Sequence, residues 1–216
     1  MSKIVLFQGD SITDTGRSKE FDRPLGYGYA TMVTGALSVE EPGEYTFLNR
    51  GISGNRSVDV YARIKQDIIN LKPDYMSILM GVNDVWHEYT RQNGVSAEKF
   101  EMIYCLLIDE IKQALPDVKI MILEPFVLQG EKTRTTEDFP GRWEHFSQEV
   151  PLRAQAAKRV AEKYGLVFVS LQEVFDEAEH VEPSDGYWLS DGVHPTAAGH
   201  ELIKRQWLNG FEKLCK

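Results

Sequence analysis

Cysteine is scarce in this chain. Its two copies, Cys105 and Cys215, offer no disulfide framework of the kind that staples small secreted scaffolds. Cys105 falls in an amphipathic helical pattern and Cys215 in the tail, which reads as a small core hydrophobe and a terminal thiol rather than a nucleophile. Long apolar runs are missing as well. Segments such as Ile4 to Phe7 and Ile120 to Leu123 are strand-sized, far short of the roughly 18 apolar residues that a bilayer-spanning helix needs. No membrane association is expected. Positive charge is in deficit, 24 Lys and Arg against 33 Asp and Glu, a formal net charge of −9. The basic residues are dispersed, and the densest group, Lys158, Arg159 and Lys163, lies on one solvated helix face. Such a surface attracts neither phosphodiester backbones nor anionic lipid, so nucleic acid is excluded as a partner. Met-Ser-Lys followed by only four apolar residues lacks a secretory h-region. Together with the cysteine usage, this predicts a cytoplasmic location.

What is present is enough for a sizeable core. The chain has 216 residues, of which 42% are apolar, with no shift in composition, no repeat and no linker. A single domain over 1–216 is expected. Five runs read as buried strands: Lys3 to Phe7, Tyr45 to Leu48, Tyr75 to Met80, Lys119 to Leu123 and Leu166 to Ser170. Between and after them, Gly28 to Leu37, Ser57 to Asn70, Ser96 to Ala114, about Phe146 to Tyr164 and Thr196 to Leu214 carry apolar residues at helical spacing. Alternating strand and helix predicts a five-stranded parallel sheet covered on both faces, with right-handed crossovers. One long polar connection, from Pro125 to about Glu144, has the length of a functional loop and reads equally as a lid or pocket wall and as an oligomer contact or solvated surface.

Four short motifs carry the chemistry. Gly9-Asp10-Ser11 follows the first strand, Gly51-Ile52-Ser53-Gly54 the second and Gly81-Val82-Asn83-Asp84 the third. Asp191-Gly192-Val193-His194-Pro195 follows the last strand and a short helical excursion, and Pro195 suits the first turn of the final helix. In an open parallel sheet the carboxyl ends of the strands border one crevice where the strand order reverses, so the motifs are expected to meet there. A serine hydroxyl is a poor nucleophile without a base in hydrogen-bond reach, and of the five histidines only His194 sits in a motif. The three-residue spacing of Asp191 and His194 suits a tight turn in which the aspartate accepts from one ring nitrogen while the other faces Ser11. Gly51 N–H, Asn83 and the Ser11 N–H would then bind an oxyanion. Asp10 and Asp84 read as local scaffold. Taken singly, each motif would also suit a turn or a helix cap; the serine-hydrolase reading rests on the set.

The four blocks resemble those of the SGNH hydrolases, the GDSL-type esterases, and span nearly the whole chain. That resemblance implies a flavodoxin-like three-layer α/β/α sandwich, catalysis by Ser11, His194 and Asp191, an oxyanion hole of Ser11, Gly51 and Asn83, and no metal or other cofactor. The longer strings Gly9 to Asp14, Gly51 to Asn55 and Gly81 to Trp86 are similar to those of bacterial intracellular esterases that deacetylate xylo-oligosaccharides, which implies a small-molecule ester substrate such as an acetylated oligosaccharide, and a homo-oligomer. Trp86, Tyr187 and Trp188 lie beside the blocks, where flat rings pack well on sugar faces, and Arg142 and Trp143 of the long connection are placed to extend that wall. A lipase or thioesterase for longer acyl chains is the alternative within the class. A catalytically silent carbohydrate-binding protein would have lost a member of the triad, and none is lost. A nucleotide-binding regulator has no support beyond topology, since Gly26-Tyr27-Gly28 lacks the third glycine and the preceding strand of a phosphate loop.

Overall fold

The computed structural model describes residues 2–216. Its centre is a five-stranded, wholly parallel sheet of β1 (Lys3–Gly9), β2 (Tyr45–Asn49), β3 (Tyr75–Leu79), β4 (Lys119–Leu123) and β5 (Val167–Val169), in the order β2-β1-β3-β4-β5. Alternate side chains enter opposite faces because the strand period is two. On one face Val5, Phe7, Leu79, Met121 and Leu123 join a cluster with Tyr29, Trp207 and Phe211. On the other, Leu6, Met76, Ile78, Ile120 and Ile122 join Val60, Phe100, Leu107 and Val160. The chain is therefore apolar on both sides of its strands, as a sheet buried between two helical layers requires. α2 (Tyr29–Glu40) and α9 (Ala197–Cys215) cover the first face. α3 (Ser57–Ala62), α6 (Ala97–Ala114) and the second half of α7 (Arg142–Tyr164) cover the other. This is the three-layer arrangement expected from the sequence, and the strand order is the flavodoxin-like one. No helix among the described residues is long and apolar enough to cross a membrane.

Departures from the expected elements have local causes. The pattern over 57–70 is not one helix: it breaks into α3, α4 (Ile64–Asp67) and a 3-10 turn, Ile69–Leu71. The break falls at Arg63, whose guanidinium is drawn into the sheet end to donate to Gln8 Oε1 at 2.8 Å and to the Arg50 carbonyl at 2.8 Å. Three helices lie where no helical run was expected or only a short excursion: α1 (Ser11–Asp14), α5 (Val82–Arg91) and α8 (Gln172–Val181). α1 is a single turn held by an Asp10 cap that accepts from Ile12 N–H at 3.0 Å. α5 buries its first turn alone, so its apolar stripe is too short to register. α9 begins after a Thr196 cap, so Pro195 precedes the helix instead of opening it.

The reversal of strand order lies between β1 and β3. Both strands end at that side of the sheet with Gly9 and Leu79, which are register partners, so Ser11 and Asn83 start from adjacent strand ends.

Candidate active site

Ser11 is the first residue of α1, and its Oγ lies 2.9 Å from His194 Nε2. His194 Nδ1 lies 2.8 Å from Asp191 Oδ2, while Asp191 Oδ1 accepts from the Val193 and His194 backbone N–H groups at 3.0 and 2.9 Å. The turn thus holds the carboxylate by one oxygen and offers the other to the ring. An acceptor at Nδ1 keeps the proton there and leaves Nε2 able to take one from the serine. Burial works to raise the Asp191 pKa, but the hydrogen bonds from the His194 ring and backbone outweigh it and hold the carboxyl far below the usual range.

The long connection buttresses this turn from behind. Leu128 N–H donates to the Gly192 carbonyl at 3.0 Å and Lys132 N–H to the Asp191 carbonyl at 2.9 Å. The Lys132 ammonium sits 3.2 Å from Asp191 Oδ2, and Thr133 Oγ1 closes the loop onto the Leu128 carbonyl at 2.7 Å. The loop therefore supports the Asp191 carboxylate and does not wall the cleft.

The cleft in front of Ser11 has a volume of about 590 Å³, and its walls include Gly54, Asn83, Trp86, His87, His194 and His200. Of the three aromatics expected beside the substrate, Trp86 lines the cleft. Tyr187 and Trp188 do not: they pack edge to face at 4.8 Å, and the Trp188 indole N–H is spent on the Glu182 carbonyl at 3.0 Å. Trp143 is turned to another depression beside Val127 and Gln172. Both Arg142 and Trp143 belong to the first turn of α7, which starts four residues earlier than the sequence pattern suggested.

Gly51 does not have the place expected of it. Its N–H donates to Asn49 Oδ1 at 2.9 Å, and it is absent from the cleft wall. A Cβ there would come within 2.4 Å of the Asp14 backbone nitrogen, so its role is close packing of the β2 loop against α1. Gly54, three residues on, lines the cleft with φ +81°, a backbone conformation that glycine adopts at little cost. Its N–H makes no hydrogen bond among the described residues. The block contains two glycines, and nothing in the spacing says which one turns its backbone to the cleft. Asn83 does lie in the wall, its Nδ2 donating to the Asn55 carbonyl at 3.2 Å and keeping a second hydrogen.

Against this geometry, the family model for GDSL-like lipases and acylhydrolases matches residues 7–202. The chain belongs to the GDSL-like lipase/acylhydrolase family. It is 35% identical over 224 residues to an acetylxylan esterase of Geobacillus stearothermophilus, covering 96% of this chain and 94% of that one. The crystal structure of the Geobacillus enzyme, Axe2, superposes with a TM-score of 0.80 at 32% identity, over 96% of this chain and 93% of that one. A GDSL-like lipase from Parabacteroides merdae superposes with a TM-score of 0.88 at 32% identity, over 98% and 97% of the two chains. Catalytic mutants of Axe2 with a serine or a histidine replaced share the fold. This chain is thus a carboxylic ester hydrolase.

The groups behind the esterase's cleft are scaffold. Asp10 is wholly buried, and burial pushes its carboxyl up to about 6. Asp84 is equally buried; its oxygens accept from Ser57 N–H at 3.1 Å and Ser57 Oγ at 2.5 Å, yet burial still pushes it up to about 7. Asp14 accepts from Ser53 N–H and Oγ at 2.9 and 2.8 Å, tying the serine turn to the Gly54 loop. His200 accepts from Tyr29 N–H at 3.2 Å through Nδ1, and burial lowers it to about 4. It is a neutral wall residue and not a second base.

Proposed function

We propose that the chain is a serine esterase that removes small acyl groups, acetyl foremost, from carbohydrate hydroxyls through an acyl-enzyme on Ser11. The observation that carries this reading is the continuous path from Asp191 through His194 to a serine hydroxyl that opens on the cleft. In the reaction the Ser11 oxygen adds to the ester carbonyl carbon as its proton passes to His194 Nε2. The charge that develops on the carbonyl oxygen is met by Ser11 N–H, Gly54 N–H and Asn83 Nδ2–H, with Gly54 in the role first assigned to Gly51. Each such donor is worth about 2.7–4 kcal/mol in the transition state. His194 hands its proton to the departing sugar oxygen, and the acyl group stays on Ser11. Water then gives its proton to His194 while adding to the acyl carbon, and collapse releases acetate and restores the serine.

Two features favour a sugar ester over a long acyl chain. The cleft is walled by His87, Arg91, Ser190 and His200 as well as by Tyr27 and Trp86, a mixture of donors and flat rings that suits hydroxyls and a sugar face. The Geobacillus relative is named an acetyl-xylooligosaccharide esterase. A series of p-nitrophenyl esters from acetyl to octanoyl, with acetylated xylo-oligosaccharide alongside, tests the reading. A steep fall in kcat/KM with chain length and release of acetate from the sugar are expected. A preference for octanoyl makes the enzyme a lipase or thioesterase instead.

A further inference from the structure

A second pocket adjoins the cleft across Trp86. It measures about 360 Å³ and is walled by Trp86, Tyr89, Phe139, Phe146 and Arg142, with Glu131 and Lys132 also contributing. Trp86 belongs to both cavities and is braced edge to face by Phe146 at 5.3 Å. Arg142 is the unusual member. Its guanidinium lies over the Phe139 ring at 3.5 Å and the Tyr89 ring at 5.8 Å, and the residue is only 9% exposed. Among the described residues its side chain makes no ion pair and no hydrogen bond, and its nitrogens keep contact with solvent instead of being sealed in the core. By contrast Arg63 is engaged by Asp67 and Arg153, still more buried, by Glu149. A guanidinium largely withdrawn from water, with rings on its faces and no anion at its edge, gains by pairing with one. Lys132 cannot serve as the pocket's anion receptor in the same way, since its ammonium is held by Asp191.

Resting on the sugar-ester reading above, the geometry points to this pocket as a second sugar subsite that takes a carboxylate-bearing sugar, a uronic acid unit, on the Arg142 guanidinium, next to the sugar whose ester is cleaved. The aromatic rings supply a surface for the apolar face of the ring. The planar fork of Arg142 is matched to a carboxylate, which it can bind through two parallel N–H···O bonds. Phe139 and Tyr89 fix the plane of that fork before the ligand arrives, which reduces the entropy lost on binding. Glu131, exposed at the edge, disfavours an anion placed there, so the carboxylate's position is limited to the Arg142 side of the pocket.

The test compares two acetylated xylo-oligosaccharides of equal length, one neutral and one carrying a uronic acid unit, with p-nitrophenyl acetate as the small ester. The wild type is expected to show kcat/KM about tenfold higher for the acidic sugar, through KM, the scale of hydrogen bonds to charged groups. Arg142→Met keeps the stem over Phe139 and removes the charge; it should erase that preference while leaving kcat for p-nitrophenyl acetate unchanged. Phe139→Ala, at an exposed position, should reduce the preference without touching the α7 start. Equal kcat/KM for the two sugars in the wild type overturns the subsite alone, as does a preference that survives in Arg142→Met. Turnover of p-nitrophenyl acetate with neither sugar hydrolysed overturns the sugar-ester reading and the subsite with it.

Discussion

His194 faces a carboxylate with Nδ1 and a hydroxyl with Nε2, and the two neighbours are not equivalent. Ser11→Ala removes the atom that forms the bond, and kcat should fall by about 10⁶. Asp191→Asn leaves nucleophile and base in place and turns an amide N–H toward the ring, which favours the wrong tautomer; a fall of about 10⁴ is expected. Steady-state kinetics of both variants check the order, and a larger loss in Asp191→Asn would contradict these roles. Asn83→Ala should lower kcat by about 10²–10³ with an unchanged circular dichroism spectrum, and wild-type turnover would remove Asn83 from the oxyanion site. The hydrogen-bonded line from Ser11 through His194 to Asp191 was legible in the sequence because a hydroxyl, a ring and a carboxylate meant for that chemistry must be those residue types. The glycine proposed as a donor was not, because any residue's backbone N–H can serve, and which of Gly51 and Gly54 faces the cleft is set by the path of the turn. Tyr187 and Trp188 were misplaced for a related reason: nearness along the chain to His194 does not fix the direction in which a ring points.

The elements that present these residues are short turns held by cross-links between loops. Asp14 joins α1 to the Gly54 loop through Ser53, and Gly51 packs directly on the backbone of α1. Gly51→Ala is therefore expected to cost about 1–3 kcal/mol of stability, as forced overpacking does, measured as a lower urea midpoint. An unchanged midpoint would show that the β2 loop can retreat and that Gly51 is not a packing residue. The five strands were readable because each is a compact apolar run bounded by polar residues. α1 and α5 were not, since a one-turn helix has no period to display and α5 buries only its first turn. The long connection was recognisable by length, but its work as a support for Asp191 depends on the contacts of Leu128 and Lys132 with a turn some sixty residues away in sequence.

At the scale of the whole molecule, two apolar layers enclose carboxyl groups that prefer to be neutral. Asp10 and Asp84 titrate at about 6 and about 7 in the fold, chiefly through burial, against an ordinary 3.8. A raised folded-state value means that the contribution to stability is complete below about pH 4 and is lost as pH rises through 6 and 7. Asp84→Asn keeps an oxygen acceptor for Ser57 and cannot ionise, so its Tm should exceed that of the wild type at pH 8 and approach it at pH 5. Calorimetry at the two values checks this, and an identical pH dependence in the variant would contradict it. These buried groups support the turns that present Ser11 and Asn83, and catalysis itself is assigned to the surface of the cleft. The most direct measurement is covalent: treatment with a fluorophosphonate, followed by peptide mass mapping and an activity assay. One adduct on Ser11, with activity lost in proportion and no labelling in Ser11→Ala or His194→Ala, is the expected result. An adduct elsewhere, or full esterase activity in Ser11→Ala, would contradict the mechanism.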